Sequence, residues 1–103
     1  MSDMLPIIEQ LADAPDHVAR ARWLLRAPEY VLSRDQVVIG KLLAAVGFRE
    51  GTAALNAEVA ASAAVRRPDG SIPITTRLAR EHARIGLAII AREGAGQGEL
   101  RHV

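Results

Sequence analysis

Apolar residues recur along this chain at helical spacing, in five blocks separated by proline, glycine and acidic breaks. Leu5, Ile8 and Leu11 form the first stripe, with Ser2 or Asp3 as the expected cap and Pro6 in the first turn, where amide donors lack helical partners anyway. Asp13 and Asp16 bracket Pro15 and predict a second start, followed by Val18, Trp23, Leu24 and Leu25 to about Arg26; Pro28 ends this helix. Glu29 to Leu32 reads as a connector. Ser33-Arg34-Asp35-Gln36 has capping-box spacing and predicts a third helix to Val46 carrying Val38, Ile39, Leu42 and Leu43.

Gly47 fits the left-handed position just past a helix end, so the chain is expected to turn there through Phe48. A fourth helix is expected from about Arg49 to Arg66. Alanine occupies several of its faces, as suits a helix packed on more than one side. Pro68-Asp69-Gly70-Ser71 is a turn signal, and Ile72-Pro73-Ile74 reads as extended. Thr75 or Thr76 is the expected cap of a fifth helix running to about Glu93 with Leu78, Ile85, Leu87, Ile89 and Ile90. The expected architecture is therefore all-α: a compact five-helix domain over 1–93 with a helix-turn-helix-like corner at Gly47. The three glycines after Glu93 and the loss of periodicity predict a flexible tail over 94–103.

Composition narrows the chemistry. At 103 residues the chain has room for one core, burying roughly 60–70% of the surface the unfolded chain exposes. Only Trp23, Tyr30 and Phe48 are aromatic, which predicts close helix contacts and little material to wall off a deep pocket. Absence of cysteine excludes disulfides, thiolate metal sites and cysteine nucleophiles. No apolar run approaches the ~20 residues of a membrane span, and the acidic start argues against a secretory signal; a cytoplasmic location is expected. Net charge is +1, without the basic excess usual in dedicated nucleic-acid binders. Twelve of the thirteen basic residues are arginine. Arg20, Arg22 and Arg26 would join Arg77, Arg80 and Arg84 in one basic surface if their helices are neighbours.

No catalytic constellation is present. Ser33 and Ser71 sit at an expected cap and turn, where serine bonds locally. His17 and His82 lack a second histidine one turn away, and a helix start explains Asp13 and Asp16 beside His17. No enzyme activity, small-molecule substrate, metal or cofactor is expected.

Two readings of function remain. The second apolar side of the last helix exceeds what a five-helix monomer readily covers, and excess apolar surface marks association sites. That predicts a non-enzymatic interaction module, an adaptor, accessory or inhibitor protein, binding itself or another protein through Ile85, Leu87, Ile89 and Ile90 with Arg77 and Arg84 at the rim. The other reading starts from Ala44-Ala45-Val46-Gly47-Phe48-Arg49-Glu50-Gly51-Thr52, which resembles the corner of TetR-type repressors, where an Ala-Gly-aromatic turn leads into a recognition helix with Gly-Thr. The resemblance covers about ten residues and implies a transcriptional regulator binding duplex DNA. Arg49, Thr52 and Asn56 share one helical face and are residue types that reach guanine, phosphate and adenine. Ala53, Ala54 and Leu55 then stand where that family carries aromatic or basic residues, and Glu50 and Glu58 add negative charge.

Overall fold

The computed structural model describes the backbone of residues 5–101 and the side chains of residues 5–92. Among the described residues there are six α-helices and no strand: α1 (Pro6–Ala12), α2 (His17–Arg26), α3 (Glu29–Arg34), α4 (Gln36–Ala45), α5 (Arg49–Ala63) and α6 (Ile74–Arg101). The sixth helix is α3, where the sequence pattern suggested a connector. Pro28 starts it, its carbonyl accepting from Val31 and Leu32 N–H at 3.0 and 3.2 Å. Six residues hold a helix here because Val31 and Leu32 are both buried in the core. Tertiary packing thus stabilises a segment too short to be helical alone.

That helix also displaces the expected capping box. Ser33 lies inside α3, and the chain bends at Asp35 (φ −106°, ψ 22°), which is the N-cap of α4 without a side-chain cap bond. The Asp35 carboxylate accepts from Arg34 instead, and Gln36 donates to the Ser33 carbonyl. Elsewhere the punctuation acts as its chemistry requires. Asp16 caps α2, its Oδ1 accepting the Ala19 N–H at 2.8 Å. Ala27, before Pro28, turns extended and ends α2. Leu5 is the N-cap of α1; Ser2 and Asp3 lie outside the described residues. Helix α6 starts at Ile74, with the Pro73 carbonyl accepting from Arg77, so neither Thr75 nor Thr76 serves as its cap.

The α4–α5 corner is closed by backbone hydrogen bonds. Gly47 adopts φ +66°. Its N–H reaches the Ala44 carbonyl at 3.1 Å, and the Phe48 N–H reaches the Leu43 carbonyl at 3.0 Å. This pair of bonds satisfies the last carbonyls of a helix ending at a left-handed glycine. Leu43 and Phe48 are both buried, supplying the apolar contact that accompanies such an ending. Phe48 is also the N-cap of α5, its carbonyl accepting from Thr52 N–H at 3.0 Å. One aromatic residue therefore ends the turn, starts the next helix and anchors both in the core.

Helix α5 is central and touches α2, α3, α4 and α6. Gly51, Ala54, Leu55 and Glu58 form its buried side. Trp23, on α2, is buried and donates its indole N–H to the Ile7 carbonyl at 2.8 Å, tying α1 to α2. Helix α6 closes the core with Leu87, flanked by half-buried Ala83, Ile90 and Ala91. The tail expected over 94–103 lies outside the residues described with side chains.

Gly51 and Gly86 are both helical, so backbone propensity favours alanine at both by about 1 kcal/mol. Their surroundings differ. A Cβ at Gly51 would stand 2.5 Å from Phe48 Cδ2 and 3.1 Å from Leu24 Cδ1; at Gly86 it would meet nothing within 4 Å. Urea unfolding should therefore show Gly51→Ala destabilised by about 1–3 kcal/mol and Gly86→Ala stabilised by about 0.5–1 kcal/mol. Equal effects at the two positions would contradict this packing.

Candidate functional site

Helix α6 carries apolar residues on two opposite sides. Leu87, 2% exposed, faces the core. Ile74, Leu78, Ile85 and Ile89 remain 51, 54, 60 and 46% exposed. At about 100° per residue these four fall within an arc of roughly 60°, centred opposite Leu87. They form one stripe about 22 Å long, from Ile74 to Ile89. Isolated exposed leucines are ordinary; an aligned set on one helix face is less so.

The residues named from sequence divide along this boundary. Ile85 and Ile89 lie on the exposed stripe. Leu87 is in the core and Ile90 packs against it, so neither is available for docking. Arg77 is exposed on the stripe's flank, while Arg84, on the same flank, is half-buried and ion-paired. Ile74 and Leu78 complete the stripe; the periodicity that contained them could not tell which side of α6 meets the core.

Arg84 belongs to an ion cluster joining three helices. Glu58, only 5% exposed, points from α5 towards α6. Its Oε1 accepts from Arg84 Nη1 at 2.9 Å and from Arg80 Nε at 3.2 Å; its Oε2 lies 3.1 Å from Arg80 Nε without hydrogen-bond alignment. Arg80 also donates to Glu29 at the start of α3. Desolvation works against the Arg80 cation, but the hydrogen bonds and charges of Glu58 and Glu29 outweigh it and raise its pKa above the ordinary arginine value. The spacing Gly51, Ala54, Leu55, Glu58 was the sequence signal that Glu58 lies on the buried face rather than flanking a nucleic-acid contact.

The arginines of α2 and α6 are mostly engaged by neighbours within the chain. The two helices pack together, but Arg80 and Arg84 are engaged by carboxylates. Arg22 donates to the Ala91 carbonyl, Arg26 to the Arg22 carbonyl, and Arg20 to the Ala14 carbonyl and His17 Nδ1. His17 stacks on Phe48 with ring centroids 4.4 Å apart, a packing role at the corner. Among the described residues no group of three metal-ligating side chains is gathered. Nor, among them, is any helix long and apolar enough to cross a membrane.

At the corner, Arg49, Thr52 and Asn56 do come together, lining one open groove along with Gly47 and Phe48. Arg49 and Asn56 are exposed. Thr52 is half-buried and its hydroxyl donates to the Phe48 carbonyl at 3.2 Å. No protein-family model matches the chain, and neither a curated protein nor a solved structure does. The likeness of the corner to repressors therefore rests on the residues from Ala44 to Thr52 alone.

Removing a partner from a fully buried ion pair costs about 3–5 kcal/mol. Here the arginine side chains keep 31 and 43% exposure against 6% for Glu58, so solvent screens the cations once they are released. Glu58→Ala should accordingly cost about 1–3 kcal/mol in chemical denaturation. A loss within a few tenths of a kcal/mol would show the cluster to be ornamental.

Proposed function

We propose that this chain is a non-enzymatic protein–protein interaction module that self-associates through the exposed face of α6. The observation that carries this reading is the alignment of Ile74, Leu78, Ile85 and Ile89 on the side of α6 opposite the core. Fully burying such a side chain is worth about 1.5–3 kcal/mol, and each has gained only about half of that within its own chain. Arg77 and Glu81, exposed on one flank, supply the polar rim usual around an apolar contact.

Light scattering should find the chain larger than a monomer at high concentration. Ile85→Asp should return it to monomer with its helix content by circular dichroism unchanged, because Ile85 is 60% exposed and lies outside the core cluster. Leu87→Asp, two residues away, should unfold the chain instead. A wild-type chain that stays monomeric at millimolar concentration contradicts self-association.

A second reading is favoured by one observation, the shared groove of Arg49, Thr52 and Asn56 beside the Gly47 turn. It makes the chain a helix-turn-helix regulator that places the first turns of α5 against duplex DNA. Under this reading a labelled duplex binds with affinity that falls steeply with salt, as counterion release requires. Arg49→Ala should weaken that binding by about tenfold, the lower part of the 1–3 kcal/mol range for a base-contacting side chain. Absent or salt-insensitive binding contradicts it.

A further inference from the structure

We infer that α2 carries a docking surface for an acidic segment of another protein, built from Arg22, Leu25 and Arg26. An open groove of about 480 Å³ is lined by these three residues and Ala19. This goes beyond the self-association proposed above, and it holds whether or not two copies of the chain associate through α6.

Charge decides the partner's chemistry. Among the described residues Arg34, Arg80 and Arg84 pair with carboxylates, and neither Arg22 nor Arg26 does. Each is exposed and makes a single bond of 3.3 Å to a neutral backbone carbonyl, Arg22 to Ala91 and Arg26 to Arg22. A guanidinium has five N–H donors, so each side chain keeps most of its donors for an external acceptor. Like charges one helical turn apart also repel, and an anion laid across both relieves that repulsion.

The remaining lining favours a peptide over other anions. Leu25 is half-buried and packs against the core, and Ala19 is half-buried beside it, so the cations frame apolar surface. Duplex nucleic acid is held by cations and polar groups along its phosphates, with little use for such surface. An acidic segment bearing an apolar side chain satisfies both parts. Arg22 and Arg26 lie about 6 Å apart along α2. Carboxylates one turn apart on a partner helix have the same spacing, with room for an apolar residue between them. Arginine is a favoured residue at such contacts, because its planar fork meets a carboxylate through two bonds.

The test is selection of a phage-displayed random peptide library on the wild-type chain, followed by binding of the enriched peptides in solution. They should carry two acidic residues three or four positions apart with an apolar residue between. Arg22→Gln/Arg26→Gln, both at exposed positions, should keep its helix content by circular dichroism and bind them at least about tenfold more weakly, the lower end for lost charged hydrogen bonds. Arg22→Lys/Arg26→Lys should recover part of the loss, and Ile85→Asp should bind as the wild type does. No enrichment, enriched peptides without acidic residues, or equal binding by the glutamine variant overturns the inference. So does loss of binding in Ile85→Asp, which would move the site to α6. A labelled DNA duplex bound by the wild type and released by the glutamine variant overturns the choice of a peptide.

Discussion

A helix can lay only one of its sides against its own core, and α6 is apolar on two. The side holding Ala83, Leu87, Ile90 and Ala91 packs against the rest of the chain and closes the core between α2 and α5. The side holding Ile74, Leu78, Ile85 and Ile89 then points away, whatever the rest of the chain does. This constraint follows from spacing: residues offset by half a turn cannot face the same neighbour. About half of each exposed side chain is already covered within its own chain. Under the self-association proposed above, the contact would be weak and reversible, because the free energy left in four such residues on each copy is comparable with the cost of joining two bodies.

The remaining helices serve to hold α6 in that orientation. The buried Glu58 does this with charge. By engaging Arg80 and Arg84 one turn apart on α6, and Glu29 through Arg80, it links α3, α5 and α6. A buried ion pair is weak support for stability, because desolvation offsets attraction. It does discriminate between rotational settings of α6: a rotation about its axis strands the carboxylate without its partners. That same rotation is what would carry the exposed stripe inward. The corner at Gly47 contributes from the other end of α5, where Phe48 and Gly51 set how closely α5 approaches α2.

Local chemistry in the sequence was sufficient where one residue type has one strong use. Asp16 as a cap, Pro28 as a stop and Gly47 as a left-handed ending all act as their side chains, or the lack of one, demand. In the turn before α6, Ser71 donates through its N–H and hydroxyl to the Asp69 carboxylate, holding its pKa below the ordinary value. Reading failed where tertiary contacts decide. Glu29–Arg34 is helical because Val31 and Leu32 find the core, and that helix then removes Ser33 from the capping position. Leu87 and Ile85 look equivalent in a list of apolar residues, and only the packing of α2 and α5 shows that one is sealed and the other open. Glu58 looked like surface charge until its buried neighbours Ala54 and Leu55 fixed its side of α5.

The most direct test is to follow backbone amide chemical shifts as the protein is concentrated. The account predicts shifts that move with concentration at Leu78, Glu81, Ile85 and Ile89, while those of Leu87 and of the corner from Gly47 to Asn56 stay fixed. Shifts that do not change at any concentration, or changes centred on the corner instead of α6, would contradict it.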